Sequence, residues 1–169
     1  MTDQFIHFDT QADIFSLLAQ VDQTVYIDQK PLKGTINTRV YLDPMKVEFM
    51  KNELLLAKLP IEIGGGLEML ANAIDFDLKV GSKNASLAEL FSLVPQEYQQ
   101  WYNGMTFEGT SDLFVSLKGV MQDSISNPDL KVQLELKNGK IFANDYFAHP
   151  VEQFQASVKV AMPQLHPDS

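Results

Sequence analysis

Apolar and polar residues alternate along much of this chain. A period of two places successive side chains on opposite faces of a β-strand. In the second half of the chain it predicts strands over 106–118, 130–137 and 151–161. The apolar residues that these strands would place on a shared face are Leu113, Val115, Leu117, Leu130, Val132, Leu134, Leu136, Val158 and Val160. This face serves either as the core of the sheet or as an apolar groove.

A helical pattern precedes the first of these strands. Ser86 and Glu89 have the spacing of a capping box, and the apolar stripe that follows predicts a helix starting at Leu87. Pro95 lacks an N–H and disfavours helical backbone before it, so the helix should stop or kink there. We expect at most another short, turn-rich helix over 96–103.

The N-terminal segment carries a second helical pattern. After a short strand over 5–8, Thr10 is a residue type that caps helices. The helix that it predicts ends near Gln20, and its apolar stripe consists of Ile14, Leu17, Leu18 and Val21. Pro31 and Gly34 then interrupt the chain, between a short strand at 25–27 and an alternating strand at 36–42.

Two turns and one glycine run mark the ends of strands. Asn138-Gly139 predicts a tight hairpin, with 140–147 returning antiparallel, because both residues tolerate positive φ. Asn52-Glu53 occupies the equivalent place in the first half, although Glu53 suits such a turn less well. The run Gly64-Gly65-Gly66 resembles a phosphate-binding loop, but no Lys-Ser or Lys-Thr follows it, which favours a bulge or bend in a long strand.

Several segments of the two halves match each other in order. Ile14–Leu18 resembles Leu90–Val94, and the ten residues from Lys33 resemble those from Glu108, at offsets of about 75. The match continues from Met45 to Leu130, from Pro60 to Pro150 and from the strand ending at Val80 to the one ending at Val160. The sequence thus predicts internal repeats over about 5–80 and 81–162. Coincidence among amphipathic strands is the alternative.

Together these patterns predict an α+β, mainly β fold in one domain over 1–169. We expect a curved antiparallel β-sheet with meander topology and two short helices, built from two tandem repeats of roughly 75–85 residues. Each repeat would contribute one helix and several strands to the sheet.

Composition narrows the function classes. The net charge of −9 and the 13 scattered basic residues argue against a nucleic-acid partner, because phosphate binding needs clustered Lys and Arg. The chain has no cysteine, so it holds neither a disulfide nor a thiolate metal site. No stretch reaches the roughly 18 continuous apolar residues of a membrane span, and the first residues lack the pattern of a signal peptide.

Candidate chemistry is sparse. His7, His149 and His166 are scattered, so we interpret them as surface or loop residues and expect no metal or cofactor. Asp75 and Asp77 would share one strand face, either as a catalytic pair or, more simply, as solvent-facing residues. Three aromatic residues near the helical segment suit either core packing or a stacking platform, and core packing is the simpler interpretation; they are Tyr98, Trp101 and Tyr102. The composition as a whole therefore indicates a binding or structural surface.

The second half resembles the C-terminal region of AsmA-like proteins of the Gram-negative envelope. The similarity lies in the helix ending at Leu93-Val94-Pro95, the strand closing at Leu117-Lys118-Gly119, the strand from Pro128 to Asn138-Gly139, and Pro150 before the last strand. The resemblance implies a non-enzymatic, periplasmic component with repeating β-grooves that take part in outer-membrane biogenesis and carry phospholipid acyl chains. Members are anchored in the inner membrane, so we expect this chain to be a soluble segment of a longer, tethered protein.

The sequence is compatible with two functions. The first is a lipid-handling module whose apolar face holds phospholipid or acyl chains. The second is an assembly module whose exposed sheet edges stack onto the remaining repeats of the parent protein or onto a partner, without binding lipid itself.

Overall fold

The computed structural model describes residues 4–21, 24–50, 52–94, 96–122, 127–143, 146 and 148–163. Its strands are β1 (Phe5–Val21), β2 (Thr24–Leu42), β3 (Met45–Phe49), β4 (Glu53–Leu56), β5 (Leu59–Met69), β6 (Ile74–Ser86), β7 (Thr106–Met121), β8 (Asp129–Phe142) and β9 (Val151–Met162). The helical elements are α1 (Leu87–Phe91), α2 (Gln96–Gln99) and a 3-10 turn (Gln100–Tyr102), all between β6 and β7.

The strands form one antiparallel sheet. Its order is β1-β2-β3-β5-β6-β7-β8-β9, so strands that follow each other in the chain are neighbours, as in a meander, with the exception of β3 and β4. β4 pairs with β2 and β5, as β3 does, and the two short strands therefore fill one position of the sheet in succession. The prediction of a mainly β, α+β fold with an antiparallel sheet is confirmed.

The N-terminal helix prediction is wrong. The segment from Phe5 to Val21 is the single strand β1, which pairs along its whole length with β2. Between Ile14 and Leu17 the register shifts, because three steps along β1 match two steps along β2. A bulge of this kind inserts one residue into the period of two and so produces a spacing of three. The apolar residues therefore mimicked a helical stripe.

The predicted interruptions in the first half lie inside strands. Pro31 and Gly34 both belong to β2, where Gly34 has φ +142° and lies opposite Leu54. The Asn52-Glu53 hairpin is also wrong, since the chain continues from β3 into β4 on the same side of β2 and turns at Ala57-Lys58 instead.

The Asn138-Gly139 hairpin prediction is wrong as well. Both residues lie within β8, and the strand continues to Phe142 beside the start of β7. Asn138 does adopt positive φ (+51°), but this conformation serves a bulge, since the register to both neighbouring strands shifts here. Residues 140–142 therefore extend β8, and part of the predicted return strand, at 144, 145 and 147, lies outside the described residues.

The second helical prediction is confirmed in its position. α1 begins at Leu87 with Ser86 as its N-cap, and the chain turns before Pro95. The Ser86 side chain makes no capping hydrogen bond, and Glu89 instead lies 3.6 Å from the Lys58 ammonium at the β4–β5 turn. α2 and the 3-10 turn fill the region predicted to be short and turn-rich.

The core lies at the end of the sheet that carries α1. The buried apolar side chains include Leu87 of α1 and the β4–β5 residues Leu54, Leu56 and Leu59, whose turn contacts α1 through Lys58. α1 packs against β7 and β6. The buried Ser111 hydroxyl donates to the Ala85 carbonyl oxygen at 3.4 Å, which joins these two strands under the helix.

The sequence match aligns one cross-strand pair of the first half with one cross-strand pair of the second half. The match from Lys33 places Val40 on Val115, and the match from Met45 places Val47 on Val132; both pairs are cross-strand partners, in β2–β3 and in β7–β8. Elsewhere the halves differ, because 14–18 lies in β1 whereas 90–94 lies in α1 and the turn after it. The duplication as a whole stays a prediction.

Candidate functional site

One face of the sheet is apolar from edge to edge. Directly opposed residues on antiparallel strands point to the same side of a sheet, so the registers of successive pairs define rows across it. One row crosses all eight positions of the sheet and contains Phe8, Thr38, Phe49, Gly65, Leu78, Leu117, Leu130 and Met162. Six of its members carry large apolar side chains. We call this side of the sheet the apolar face.

Neighbouring rows extend the apolar face on both sides. One contains Ile63, Val80, Val115, Val132 and Val160. Another contains Ile6, Val40, Val47, Leu67 and Phe76. Because these rows come from both halves of the chain, the apolar face is a property of the whole sheet.

The nine residues proposed from sequence all lie on this face. Leu113 pairs with Leu134, and Leu134 pairs with Val158. The valine row contains Val115, Val132 and Val160, and the long row contains Leu117 and Leu130. The ninth residue, Leu136, pairs with Ser111 on β7 and with Ala156 on β9. The structure therefore brings the predicted residues together in one patch on β7, β8 and β9.

Sequence reasoning missed the continuation of this patch into β3, β5 and β6. Val47, Leu67 and Phe76 are direct partners there. Their signal was the same alternation, which is visible in each strand. The sequence does not show the order and register of the strands. Only the register shows that the apolar residues of β3, β5 and β6 point to the same side of the sheet as those of β7 and β8.

The apolar face is largely uncovered. In the described ranges every element outside the helical segment is a strand of the sheet itself, and the helix α1 packs near β6 and β7. The β7 and β8 residues of the face are half-buried by their neighbours. Towards the edge strand the exposure rises, to 49% for Val158 and 45% for Val160. Exposed apolar area of this extent is typical of a surface that contacts something else.

The opposite face is polar. In β8 the residues between the apolar positions are Lys131, Gln133 and Glu135, all exposed. In β6, Asp75 and Asp77 point to this face, with the Lys118 ammonium 3.9 Å from Asp77. Solvent on one side and apolar side chains on the other give the sheet two distinct faces.

A cluster of charged and polar side chains connects β2 and β3 on the polar face. The Lys46 ammonium lies 2.7 Å from the Glu48 carboxylate, which also accepts a hydrogen bond from the Tyr41 hydroxyl at 3.0 Å. The hydrogen bond from Lys46 lowers the pKa of Glu48, and the same bond raises the pKa of Lys46. The partners are satisfied by one another, and the cluster braces the two strands.

A second charged contact joins three strands near α1. The Asn84 N–H donates to the Asp112 carboxylate at 2.8 Å, and the Lys137 ammonium contacts the same carboxylate. These two hydrogen bonds lower the pKa of Asp112. The arrangement links β6, β7 and β8 at the point where both β6 and β8 depart from regular pairing with β7.

The polar face offers little catalytic geometry. The described residues contain no group of three His, Asp or Glu side chains that could hold a metal ion. His7 is exposed and lies 3.1 Å from Asp9, His149 is exposed, and His166 lies outside the described residues. Asp75 and Asp77 occupy the solvent face of β6, as the simpler interpretation predicted.

The glycine run lies within β5, as predicted, but it forms no bulge. Gly64, Gly65 and Gly66 pair with consecutive residues of β6 without a shift. Gly65 has φ +90°, and a Cβ there would collide with the backbone carbonyl oxygen of Asp77. Close approach of two strands therefore requires glycine at this position. Gly65 therefore contributes no side chain to the long apolar row.

The three aromatic residues of the helical segment divide into two groups. Tyr102 packs between Phe91 and Phe107, with ring centroids 5.4 and 5.8 Å away, and burial raises the pKa of its hydroxyl. Core packing is correct for Tyr102. It is wrong for Trp101 and Tyr98, whose side chains are 70% and 39% exposed.

Among the described residues, no helix has both the length and the apolar character that crossing a membrane requires. Comparisons with family models, with curated proteins and with solved structures give no match to this chain.

Proposed function

We propose that this chain is a non-enzymatic lipid-handling module whose apolar face shelters the acyl chains of phospholipids. The observation that carries this proposal is the row that crosses all eight positions of a single-layer sheet, with large apolar side chains at six of them, and with α1 packed at one end of the sheet. The resemblance of the second half to AsmA-like proteins supports the same function. It adds a role in phospholipid transport during outer-membrane biogenesis, in a periplasmic segment tethered to the inner membrane by the parent protein.

Energetics support an acyl chain as the occupant. Removing a CH₂ group from water contributes about 0.8 kcal/mol, so a chain laid along the face gains free energy with each carbon that it covers. An aliphatic chain needs no hydrogen-bond partner, and the apolar face presents almost none. The half-buried valines and leucines of β7 and β8 supply a dense floor for such a chain.

Native mass spectrometry on protein purified without detergent from a lipid-rich host tests the proposal. We expect bound phospholipid, released by organic extraction and identified by its mass. A protein that emerges lipid-free, and that also fails to bind added fatty acid, would contradict the proposed function. Fatty acid is the second probe because it presents the acyl chain without a phosphate headgroup.

Assembly through the sheet edges is the second candidate. β1 and β9 are the outer strands, and each has one side without a partner strand in the described part of the chain. Exposed apolar residues along both edges, including Phe15 and Met162, favour addition of a further strand. Sedimentation over a range of concentrations tests this function: self-association that the substitution Val160→Lys abolishes supports it, and a monomer at every concentration argues against it.

A further inference from the structure

Trp101 is an unusual surface residue. Its side chain is 70% exposed, although tryptophan is largely buried in most proteins. The ring of Tyr98, itself 39% exposed, lies beside it with the centroids 5.1 Å apart. The two residues together present an amphipathic aromatic pair, since each ring has an apolar body and a polar N–H or O–H.

The aromatic pair is held on a firm support. The next residue, Tyr102, donates a hydrogen bond from its hydroxyl to the Phe91 carbonyl oxygen at 3.1 Å. Its ring packs against Phe91 and Phe107, and those two rings stack with centroids 3.9 Å apart. The 3-10 turn is thereby fixed to α1 and β7 on one side, while Trp101 projects from it into solvent.

The segment of the chain that carries the pair is poor in charge. The 18 residues from Leu90 to Phe107 include one charged residue, Glu97, whereas charged residues make up 21% of the whole chain. Their polar members are neutral, mainly Gln, Ser, Asn and Thr. A segment with few charges and with exposed aromatic rings has few charged groups to desolvate when it approaches lipid headgroups.

We propose that Trp101 and Tyr98 form a docking site for the interface of a lipid bilayer. Tryptophan and tyrosine rings settle at headgroup level, where the ring body contacts acyl carbons and the N–H or O–H contacts water and headgroups. The net charge of −9 is repelled by anionic lipids, so the site suits a zwitterionic surface. Docking would bring the α1 end of the sheet to the membrane and supply a place where lipid enters or leaves the apolar face.

The intrinsic fluorescence of the protein tests this site directly, because Trp101 is the only tryptophan. Vesicles of phosphatidylcholine should shift its emission to shorter wavelength, and brominated phosphatidylcholine should quench it. An emission spectrum that vesicles leave unmoved would overturn the proposal.

Variants assign the binding to this pair. In a vesicle flotation assay, Trp101→Ser and Tyr98→Ser should each weaken binding, the tryptophan variant by about tenfold. Phe114→Ser is the matched control, since Phe114 is an aromatic residue 40% exposed on the polar face of β7, opposite Gln133, and should not affect flotation. Binding that survives Trp101→Ser, or that Phe114→Ser weakens equally, would overturn the proposal.

The docking site and the proposed lipid-handling function fail in different ways. A protein that carries phospholipid but ignores vesicles refutes the docking site alone. A protein whose tryptophan responds to vesicles but which binds neither phospholipid nor free fatty acid refutes the lipid-handling function alone.

Discussion

Val115 and Val132 face each other across β7 and β8, and Val40 and Val47 face each other in the same way across β2 and β3. The internal sequence match aligns Val40 with Val115 and, in a separate segment, Val47 with Val132. Both pairs contribute to the apolar face, in rows that lie on the same side of the sheet. In each half, therefore, one pair of valines on neighbouring antiparallel strands contributes to this face.

Val115→Asp should weaken acyl-chain binding by at least about tenfold, because it places a charge in the centre of the valine row on the apolar face. Ser116→Asp is the matched control: it adds the same side chain at the next position, on the polar face. Displacement of a fluorescent fatty acid measures both affinities, after circular dichroism has established that both variants are folded. Equal affinities would contradict an apolar-face site.

Gly65→Ala should destabilise the protein by about 1–3 kcal/mol, because the backbone has φ +90° and the new Cβ would meet the Asp77 carbonyl oxygen. Gly64→Ala, one residue earlier, should change stability by less than about 1 kcal/mol, because nothing lies within 4 Å of the Cβ position there. Urea denaturation of the two variants gives the comparison. Similar losses in both would show that chain entropy, and not the close approach, determines the need for glycine.

Leu87→Ala should cost about 2–5 kcal/mol, since Leu87 is fully buried and its truncation leaves a cavity under the N-terminus of α1. Leu55→Ala removes the same atoms from a side chain that is 48% exposed and should cost less than about 1 kcal/mol. The free energy of unfolding in urea is the measurement. A small cost at Leu87 would mean that α1 does not anchor the covered end of the sheet.

Asp112→Asn should lower stability at neutral pH and flatten its dependence on acid pH. Hydrogen bonds from Asn84 and Lys137 lower the pKa of Asp112 below its usual 3.8. The charged carboxylate therefore stabilises the folded state above about pH 3.8, and that stabilisation disappears as the pH falls through the folded-state pKa. Denaturation curves at neutral pH and well below pH 3.8 should separate the two proteins at neutral pH and bring them together in acid.

The control for this variant is Asp77→Asn. The Asp77 carboxylate is exposed, with the Lys118 ammonium 3.9 Å away, and an ion pair of that kind contributes little to stability. We expect its denaturation curve at neutral pH to stay close to that of the unmodified protein. If both substitutions lower stability equally, net charge and not the Asp112 hydrogen bonds would be the cause.

The alternation of apolar and polar residues predicted several strands correctly. It predicted β7, β9 and the first part of β8 because cross-strand pairing in those regions proceeds without interruption over several residues. The helix at α1 was predictable too, since Ser86 and Pro95 bracket a short apolar stripe. All of these signals are local, so a single stretch of sequence suffices to identify them.

Bulges account for much of what the sequence concealed. In β1 the extra residue between Ile14 and Leu17 converted a strand period into a helical one. At Asn138 the positive φ that favours a hairpin turn was used to bend a continuing strand. A bulge depends on the partner strand, and the partner is not visible in the segment itself. The exposure of Trp101 was also not predictable from the sequence. Trp101 and Tyr102 are adjacent aromatic residues, and only the structure shows that Tyr102 packs against Phe91 and Phe107 while Trp101 is exposed.

The length of the eight-residue row can be compared with the dimensions of a lipid. Adjacent strands lie about 4.8 Å apart, so a row that spans seven intervals measures roughly 34 Å from Phe8 to Met162. The hydrocarbon core of a whole bilayer is about 30 Å thick, which leaves about 15 Å for the acyl chains of one leaflet. A phospholipid lying across the strands would therefore occupy about half of the row. On the proposed lipid-handling function, the row would have room for a second lipid behind the first, so that lipids could follow one another across the sheet.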